Sequence, residues 1–164
     1  MKTDGYKWWV NRMRHALKLY DVVRIDHFRG LESYFSIPAT DTTAKNGKWV
    51  KGPDMALFRQ FKKDICEDLP IIAEDLGYLT PQVKKLLKAT GFPGMKVLQF
   101  AFDGDKNNDY LPYNHPQNSV VYTGTHDNDT IVGYCSRAKR REISYMMRYL
   151  GVKRRTAIPM GMLR

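Results

Sequence analysis

Cysteine is scarce in this sequence, and long apolar runs are missing. Only Cys66 and Cys135 occur among 164 residues, and neither lies in the spacing of a metal-ligand pair. The sequence therefore predicts two reduced thiols in a cytoplasmic protein, not a disulfide scaffold or a metal site. No stretch approaches the ~20 apolar residues of a membrane helix, and residues 1–5 lack the apolar core of a signal peptide.

A phosphate-binding glycine motif is also missing, and the middle of the chain has no excess of positive charge. Without a Gly-rich fingerprint after an apolar run, a nucleotide-binding sheet is disfavoured. The net charge is +10, but residues 137–164 hold nine Lys and Arg against one Glu, and residues 1–20 hold five against one Asp. Residues 21–136 are left with a net charge of −2. The basic tail is therefore interpreted as a solvated helix face, and no nucleic-acid partner is predicted.

Short apolar runs predict four strands, separated by segments with helical spacing. The strands are expected at residues 21–26, 71–73, 95–102 and 118–123. Nearly continuous apolar strands that alternate with helices indicate an α/β protein with a parallel sheet. A doubly wound sheet and a (β/α)8 barrel both fit this pattern. Acids at the ends of three strands favour the barrel without deciding between the two.

Capping residues and turn residues predict where the helices and loops lie. Thr3 or Asp4 is expected to cap the first helix, and Thr80-Pro81 to begin another that Gly91 ends. Residues 31–52 are rich in turn-forming residues and predict a long loop. Further helices are predicted at residues 55–69, at about 137–150 and from Ile158 onward.

Carboxylates follow three of the predicted strands, at Asp26, at Glu74-Asp75 and at Asp127. Retaining glycoside cleavage needs two carboxyl groups about 5–5.5 Å apart, and neighbouring strand ends lie about 4.8 Å apart. Arg24 shares a strand face with Asp26, so that its guanidinium would favour the ionised carboxylate. Acids that cap helices, or a plain salt bridge, would produce the same pattern.

Four motifs together resemble a known family. They are RIDHFRG at 24–30, AEDLG at 73–77, FPGMKVLQFAF at 92–102 and GTHDNDT at 124–130. In order and spacing they are similar to the 4-α-glucanotransferases (amylomaltases, or disproportionating enzymes). The resemblance covers nearly the whole chain, and the third motif separates it from ordinary α-amylases. It implies a (β/α)8 barrel in which these segments correspond to strands four to seven.

The resemblance also implies roles for the acids. Asp26 matches the nucleophile that forms a covalent glucosyl-enzyme, Glu74 the general acid/base, and Asp127 the stabiliser of the transition state. The reaction would transfer an α-1,4-glucan segment to the 4-hydroxyl of glucose or another glucan. It requires Glu74 to hold a proton at a pH where Asp26 is ionised.

Other positions would bind the substrate, which is expected to be an α-1,4-glucan or a maltooligosaccharide. Arg24 and His126 match sugar-binding positions, and Phe100 matches an aromatic residue near the acceptor path. Asp75 is expected to support the site, either through local hydrogen bonds or by touching sugar. No metal and no organic cofactor is implied.

The length departs from the family pattern. A complete barrel of this kind needs about 250 residues. Residues 1–164 are therefore expected to form one segment of a catalytic barrel whose N-terminal half and last strand are absent. The alternatives are a non-catalytic glucan-binding piece and an α-glucan hydrolase of the α-amylase type. The isolated segment is expected to be inactive, and cut barrel edges would favour self-association.

Overall fold

In the computed structural model, which describes residues 2–77 and 79–164, the α/β chain divides into two compact units, residues 1–94 and 95–164. The elements of the first unit are α1 (Lys7–Leu19), β1 (Val23–Ile25), α2 (Arg29–Glu32), β2 (Ser33–Ser36), β3 (Lys48–Lys51), α3 (Met55–Asp64), β4 (Ile71–Ala73) and α4 (Pro81–Thr90). Those that follow are β5 (Gly94–Val97), β6 (Ser119–Tyr122), α5 (Ile131–Arg137), α6 (Arg140–Tyr149) and α7 (Ile158–Met162). Within the described residues, none of these helices has the length and apolar character needed to cross a membrane.

The first unit is built around a parallel pair of strands. β1 pairs with β4 in the register Val23 to Ile71 and Ile25 to Ala73, which confirms the predicted parallel pairing of these two strands. Within the described residues the strands form three two-stranded sheets, so the prediction of one continuous parallel sheet is not met. The Ala73 N–H donates to the Pro93 carbonyl at 2.9 Å, so the backbone just before β5 lies beside β4. Because β1 and β4 run in the same direction, the residues that follow them lie at the same end of the strand pair.

Aromatic residues form the core of the first unit. The Phe58 ring, fully buried on α3, stacks on Phe28 with centroids 5.7 Å apart and meets the edges of Phe61 and Phe92. Each such side chain stabilises the fold by about 2–3 kcal/mol on burial. This core holds the segment after β1, which contains Phe28, against helix α3.

The predicted loop at residues 31–52 is wrong in part. Its ends form an antiparallel hairpin, β2 with β3, in which Phe35 lies opposite Trp49. Their rings meet edge to face with centroids 5.4 Å apart, and the Arg29 guanidinium lies 4.3 Å from the Trp49 ring centroid. Tyr, Phe, Trp and Val favour strands, and their cross-strand packing outweighs the turn residues between them.

Some helix boundaries follow the predictions. Helix α7 begins at Ile158 as predicted, although no side chain caps it. Thr80 accepts a hydrogen bond from the Val83 N–H at 3.3 Å, and Gly91 ends α4 with φ of 75°, so both predictions are confirmed. The predicted cap at Thr3 or Asp4 is wrong, because α1 begins at Lys7 after Tyr6, which has φ of 56°. Helix α3 ends at Asp64 and not at residue 69.

The second unit pairs β5 with β6 and has its own apolar core. The predicted strand at 95–102 is wrong in its second half, because β5 ends at Val97 and Leu98–Phe100 form a 3-10 turn. The helix predicted at about 137–150 is α6, with a separate helix α5 before it that Thr130 caps. The buried residues of this core are Leu98, Ala101, Phe102, Leu111, Cys135, Ile143, Met146, Ile158 and Met162.

An ion-pair network ties the hairpin to α2 and α3. The Lys51 ammonium lies 2.6 Å from Oε1 of the buried Glu32 and 2.7 Å from Oδ2 of Asp54, the residue before α3. Hydrogen bonds from Lys51 and Ser33 lower the pKa of the Glu32 carboxyl. Hydrogen bonds to Asp54 and Glu32 raise the pKa of the Lys51 ammonium.

Lys51→Met is expected to destabilise the chain by about 1 kcal/mol, because a buried carboxylate loses its charged donor while solvent screens the loss. Glu32 contributes stability above its ordinary pKa that is lost as pH falls through the lowered value. Lys51 contributes stability below its ordinary pKa that is lost as pH rises through the raised value. Urea unfolding should therefore show the largest difference between about pH 5 and pH 10. Lys62→Met, which removes an exposed pair with Glu67, is the control and should change little.

Candidate active site

Asp26 is the first residue beyond β1 and points to solvent, with 69% of its side chain exposed. The Arg24 Nη2 lies 3.4 Å from the Asp26 Oδ1, as their shared strand face predicts. The two side chains form an ion pair at the end of β1. A cavity of about 300 Å³ opens beside them, lined by Trp9, Arg12, Met13, Ala16, Val23, Arg24, Ile25 and Asp26.

Glu74 follows β4 and lies across the strand pair from Asp26. The ladder continues past both strands, because the Glu74 N–H donates to the Ile25 carbonyl at 2.9 Å and the Phe28 N–H to the Glu74 carbonyl at 3.0 Å. The carboxylate itself is also held. Its Oε2 accepts the His27 N–H at 2.6 Å and its Oε1 accepts the Leu76 N–H at 2.8 Å. Backbone amides from both strand ends therefore orient the Glu74 side chain.

His27 is a residue that sequence reasoning missed. Its φ of 49° lies in the left-handed region, and this turn aims its N–H at Glu74. The Gly30 N–H closes the turn by donating to the His27 carbonyl at 2.9 Å. The available signal was the residue type, since His is among the side chains enriched at positive φ.

His27→Ile is expected to destabilise the chain by about 1–2 kcal/mol, because a β-branched residue fits the left-handed region poorly. His27→Gly is the matched comparison, since glycine adopts this backbone without strain. The free energy of unfolding, measured in urea, should rank the variants wild type, then Gly, then Ile. Equal values for the Gly and Ile variants would contradict the argument.

Asp75 is buried, with 6% of the residue exposed. A Cβ added at Gly94 would lie 2.8 Å from each Asp75 carboxylate oxygen, so glycine lets this side chain pack against the start of β5. Of the two roles considered for Asp75, burial favours local support over direct contact with sugar.

In the second unit, His126 and Asp127 lie in the loop after β6, with the His126 Nε2 3.3 Å from the Asp127 Oδ1. Both side chains are exposed, at 66% and 78%. The loop closes on Asn128, whose Oδ1 accepts the Thr125 N–H at 2.9 Å and the Thr125 hydroxyl at 3.0 Å. The Asp127 N–H donates to the Thr125 Oγ1 at 3.3 Å.

Phe100 lies on the 3-10 turn after β5 and is 41% exposed. Its ring meets the edge of Tyr110 with centroids 5.4 Å apart. Phe100 and Asp127 line one cavity of about 440 Å³, together with Gln99, Asn128, Asp129, Tyr134, Arg137, Ala138, Lys139 and Glu142. An aromatic face beside a carboxylate suits a sugar, which offers both C–H and O–H groups.

The structure thus brings together Arg24, Asp26 and Glu74 in the first unit, and brings Asp127 to His126 and Phe100 in the second. Asp75 lies buried under the surface. Across residues 2–77 and 79–164, His, Cys, Asp and Glu side chains form no group of three or more that could hold a metal ion. The chemistry available at these positions is that of carboxylates, a guanidinium, an imidazole and an aromatic ring.

Carboxylates at the ends of neighbouring parallel strands are compatible with an α/β protein of the glycoside hydrolase type. Comparison with known families is specific: residues 1–163 match glycoside hydrolase family 77, described as 4-alpha-glucanotransferase. The chain belongs to this family.

Curated relatives carry the same description. The chain is 56% identical to a 4-alpha-glucanotransferase of Clostridium butyricum over 82% of its own length and 27% of the relative. It is 51% identical to one of Streptococcus pneumoniae over 100% of its length and 32% of the relative. A plastid 4-alpha-glucanotransferase of Solanum tuberosum is 44% identical over 99% of the chain and 28% of that relative. The chain thus spans about a third of the length of these proteins.

Solved structures agree. An amylomaltase from Streptococcus agalactiae, in complex with acarbose, superposes with a TM-score of 0.87 at 38% identity, over 93% of this chain and 31% of that one. An amylomaltase from Corynebacterium glutamicum superposes with a TM-score of 0.70 at 24% identity over 96% of this chain and 22% of that one, which supports the fold.

Proposed function

We propose that the complete gene product carrying this sequence transfers segments of α-1,4-glucan to the 4-hydroxyl of glucose or another glucan. One observation carries the proposal: Glu74 lies across the β1–β4 pair from Asp26, held by the amides of His27 and Leu76. Two carboxyl groups on neighbouring strand ends suit a retaining glycoside mechanism. Relatives described as 4-alpha-glucanotransferases support the choice of transfer over hydrolysis.

In the first step, the Asp26 carboxylate attacks the anomeric carbon while Glu74 gives its proton to the leaving glycosidic oxygen. The C–O bond to the leaving glucan breaks, and a glucosyl ester forms on Asp26. In the second step, Glu74 takes the proton from the acceptor 4-hydroxyl as that oxygen displaces Asp26. Asp127 stabilises the positive charge that develops on the sugar ring.

The remaining residues bind the glucan. Arg24 pairs with Asp26 and contacts the sugar, His126 donates to a sugar hydroxyl, and Phe100 packs against the acceptor. Asp75 supports the site from below the surface. The acarbose bound by the Streptococcus agalactiae amylomaltase supports an α-glucan or a maltooligosaccharide as substrate.

The architecture belongs to the same proposal. Residues 1–164 form one segment of a (β/α)8 barrel, in which β1, β4, β5 and β6 are strands four to seven. A cytoplasmic location is consistent with the free thiols of Cys66 and Cys135. Leu19, Tyr20 and Val22 are exposed beside β1, which favours self-association of the 164-residue chain.

Incubation with maltotriose tests the proposal. The complete gene product should convert maltotriose to glucose plus maltopentaose and longer chains, with no net gain in reducing ends. A steady rise in reducing ends without longer products would instead indicate an α-amylase-type hydrolase. Maltotriose that binds, as measured by calorimetry, but remains unchanged would indicate a non-catalytic glucan-binding protein.

A further inference from the structure

We propose that Gln99 is a positioning residue for the catalytic loop, residues 124–129, which carries Asp127. The inference rests on the proposed function, because it assigns Gln99 a role through the transition-state stabiliser. Gln99 lies in the 3-10 turn after β5, and only 8% of it is exposed. A buried amide needs hydrogen-bond partners, since leaving it unsatisfied costs about 1–3 kcal/mol.

Gln99 bonds both to the residue before the catalytic loop and to the last residue of the loop. Its backbone N–H donates to the Thr123 carbonyl at 3.3 Å, directly before the loop begins. Its side-chain Nε2 donates to the Asp129 carbonyl at 2.8 Å, at the last residue of the loop. One buried residue therefore fixes the entry and the exit of the segment that holds Asp127.

Gly124 shows how closely the loop backbone approaches this amide. A Cβ added at Gly124 would lie 2.5 Å from the Gln99 Nε2, nearer than real Cβ atoms come. Glycine here thus makes room for the Gln99 side chain. A buried donor at Gln99 and a glycine at position 124 that leaves space for it indicate that the loop backbone and the Gln99 amide pack specifically against each other.

The position of Asp127 depends on the anchored loop, because its own side chain makes few contacts. Its carboxylate is 78% exposed and lies near His126, which is itself exposed. Its backbone N–H bonds to Thr125, another loop residue. The position of the carboxylate is therefore set by the loop backbone, and the loop is anchored at Gln99. A displacement of about 1 Å at a reacting group can cost on the order of 10²-fold in rate.

Gln99→Glu tests this role with a readout that a merely structural residue would not give. At neutral pH the new carboxylate faces the Asp129 carbonyl and cannot donate, so kcat of the complete gene product should fall by roughly 10–100-fold with a smaller change in KM. At acidic pH the protonated carboxyl can donate again, so the ratio of mutant to wild-type kcat should rise. Gln99→Met should lose activity without this recovery.

The controls isolate the titration of residue 99. The cavity beside Gln99 is also lined by other charged residues, namely Asp127, Asp129, Arg137, Lys139 and Glu142. Because these residues also carry charge beside Gln99, wild type and Gln99→Met are measured over the same pH series. Gln82→Glu, at an exposed position on α4, makes the same chemical change elsewhere and should leave the profile unaltered.

Hydrogen exchange provides a second test of this role, one that does not require enzymatic activity. In Gln99→Met, amides of residues 123–130 should exchange faster than in wild type, while those of α6 should not change. The role of Gln99 would be overturned by unchanged exchange rates in this segment. It would also be overturned if Gln99→Glu and Gln99→Met had the same kcat at every pH. If the wild-type protein makes no longer glucans from maltotriose, the proposed function fails, and the exchange arm still decides whether Gln99 anchors the loop.

Discussion

Asp26→Asn is expected to lower the rate of glucan transfer by at least about 10³-fold in the complete gene product, while the fold remains intact. The amide of asparagine has no negative charge and cannot form the ester intermediate. The side chain is 69% exposed and contacts Arg24 at 3.4 Å, so its replacement should not disturb packing. Formation of longer glucans from maltotriose measures the rate, and thermal unfolding checks the fold.

Asp21→Asn is the matched control for this prediction. Asp21 is exposed and precedes the same strand that Asp26 follows, so the two substitutions are chemically identical at opposite ends of β1. Asp21→Asn should retain transfer. Full activity in Asp26→Asn would refute the nucleophile assignment. Partial return of turnover in Asp26→Ala on addition of azide, with a β-glycosyl azide as product, would support it.

Gly52→Ala is expected to destabilise the 164-residue chain by about 3 kcal/mol, since the added methyl has no space. A Cβ at this position would lie 2.3 Å from the Leu31 carbonyl oxygen and 2.9 Å from that of Gly30. Both contacts are with backbone, which cannot rotate away as a side chain can. The Gly52 N–H also donates to the Glu32 carbonyl at 2.8 Å, so a shift would break a bond next to the hairpin.

Urea unfolding measures this effect, and Gly161→Ala is its control. A Cβ at Gly161, in α7, would meet the Val152 Cγ1 at 3.2 Å, a side-chain atom that can yield. Alanine also favours a helix over glycine, so this change should be close to neutral. Similar unfolding midpoints for the two variants would contradict the steric argument at Gly52.

Local chemistry made several parts of the fold predictable. Thr80, Pro81 and Gly91 each act within one helix, so the start and end of α4 follow from their order along the chain. The short β-branched run at Ile71–Ala73 favours a buried strand, and Glu74 then follows its end. Asp26 follows β1 for the same reason.

Features that depend on distant backbone could not be predicted in this way. The hairpin β2–β3 forms because Phe35 packs against Trp49, fourteen positions away. The turn-rich residues between them do not predict this pairing. The end of β5 at Val97 is similar, since Gln99 turns away to bond with the Asp129 carbonyl. A polar residue inside the apolar run 95–102 was the available signal.

The order of residues along the chain decided which groups this family member offers: carboxylates after buried strands, an arginine two positions before one of them, and motifs that mark the family. Tertiary structure alone decided how those groups are held. Glu74 is oriented by the amide of His27, and the loop of Asp127 is anchored by Gln99. Both bonds join residues about thirty or more positions apart, and hydrogen bonds of that range depend on strand register and packing rather than on local preference.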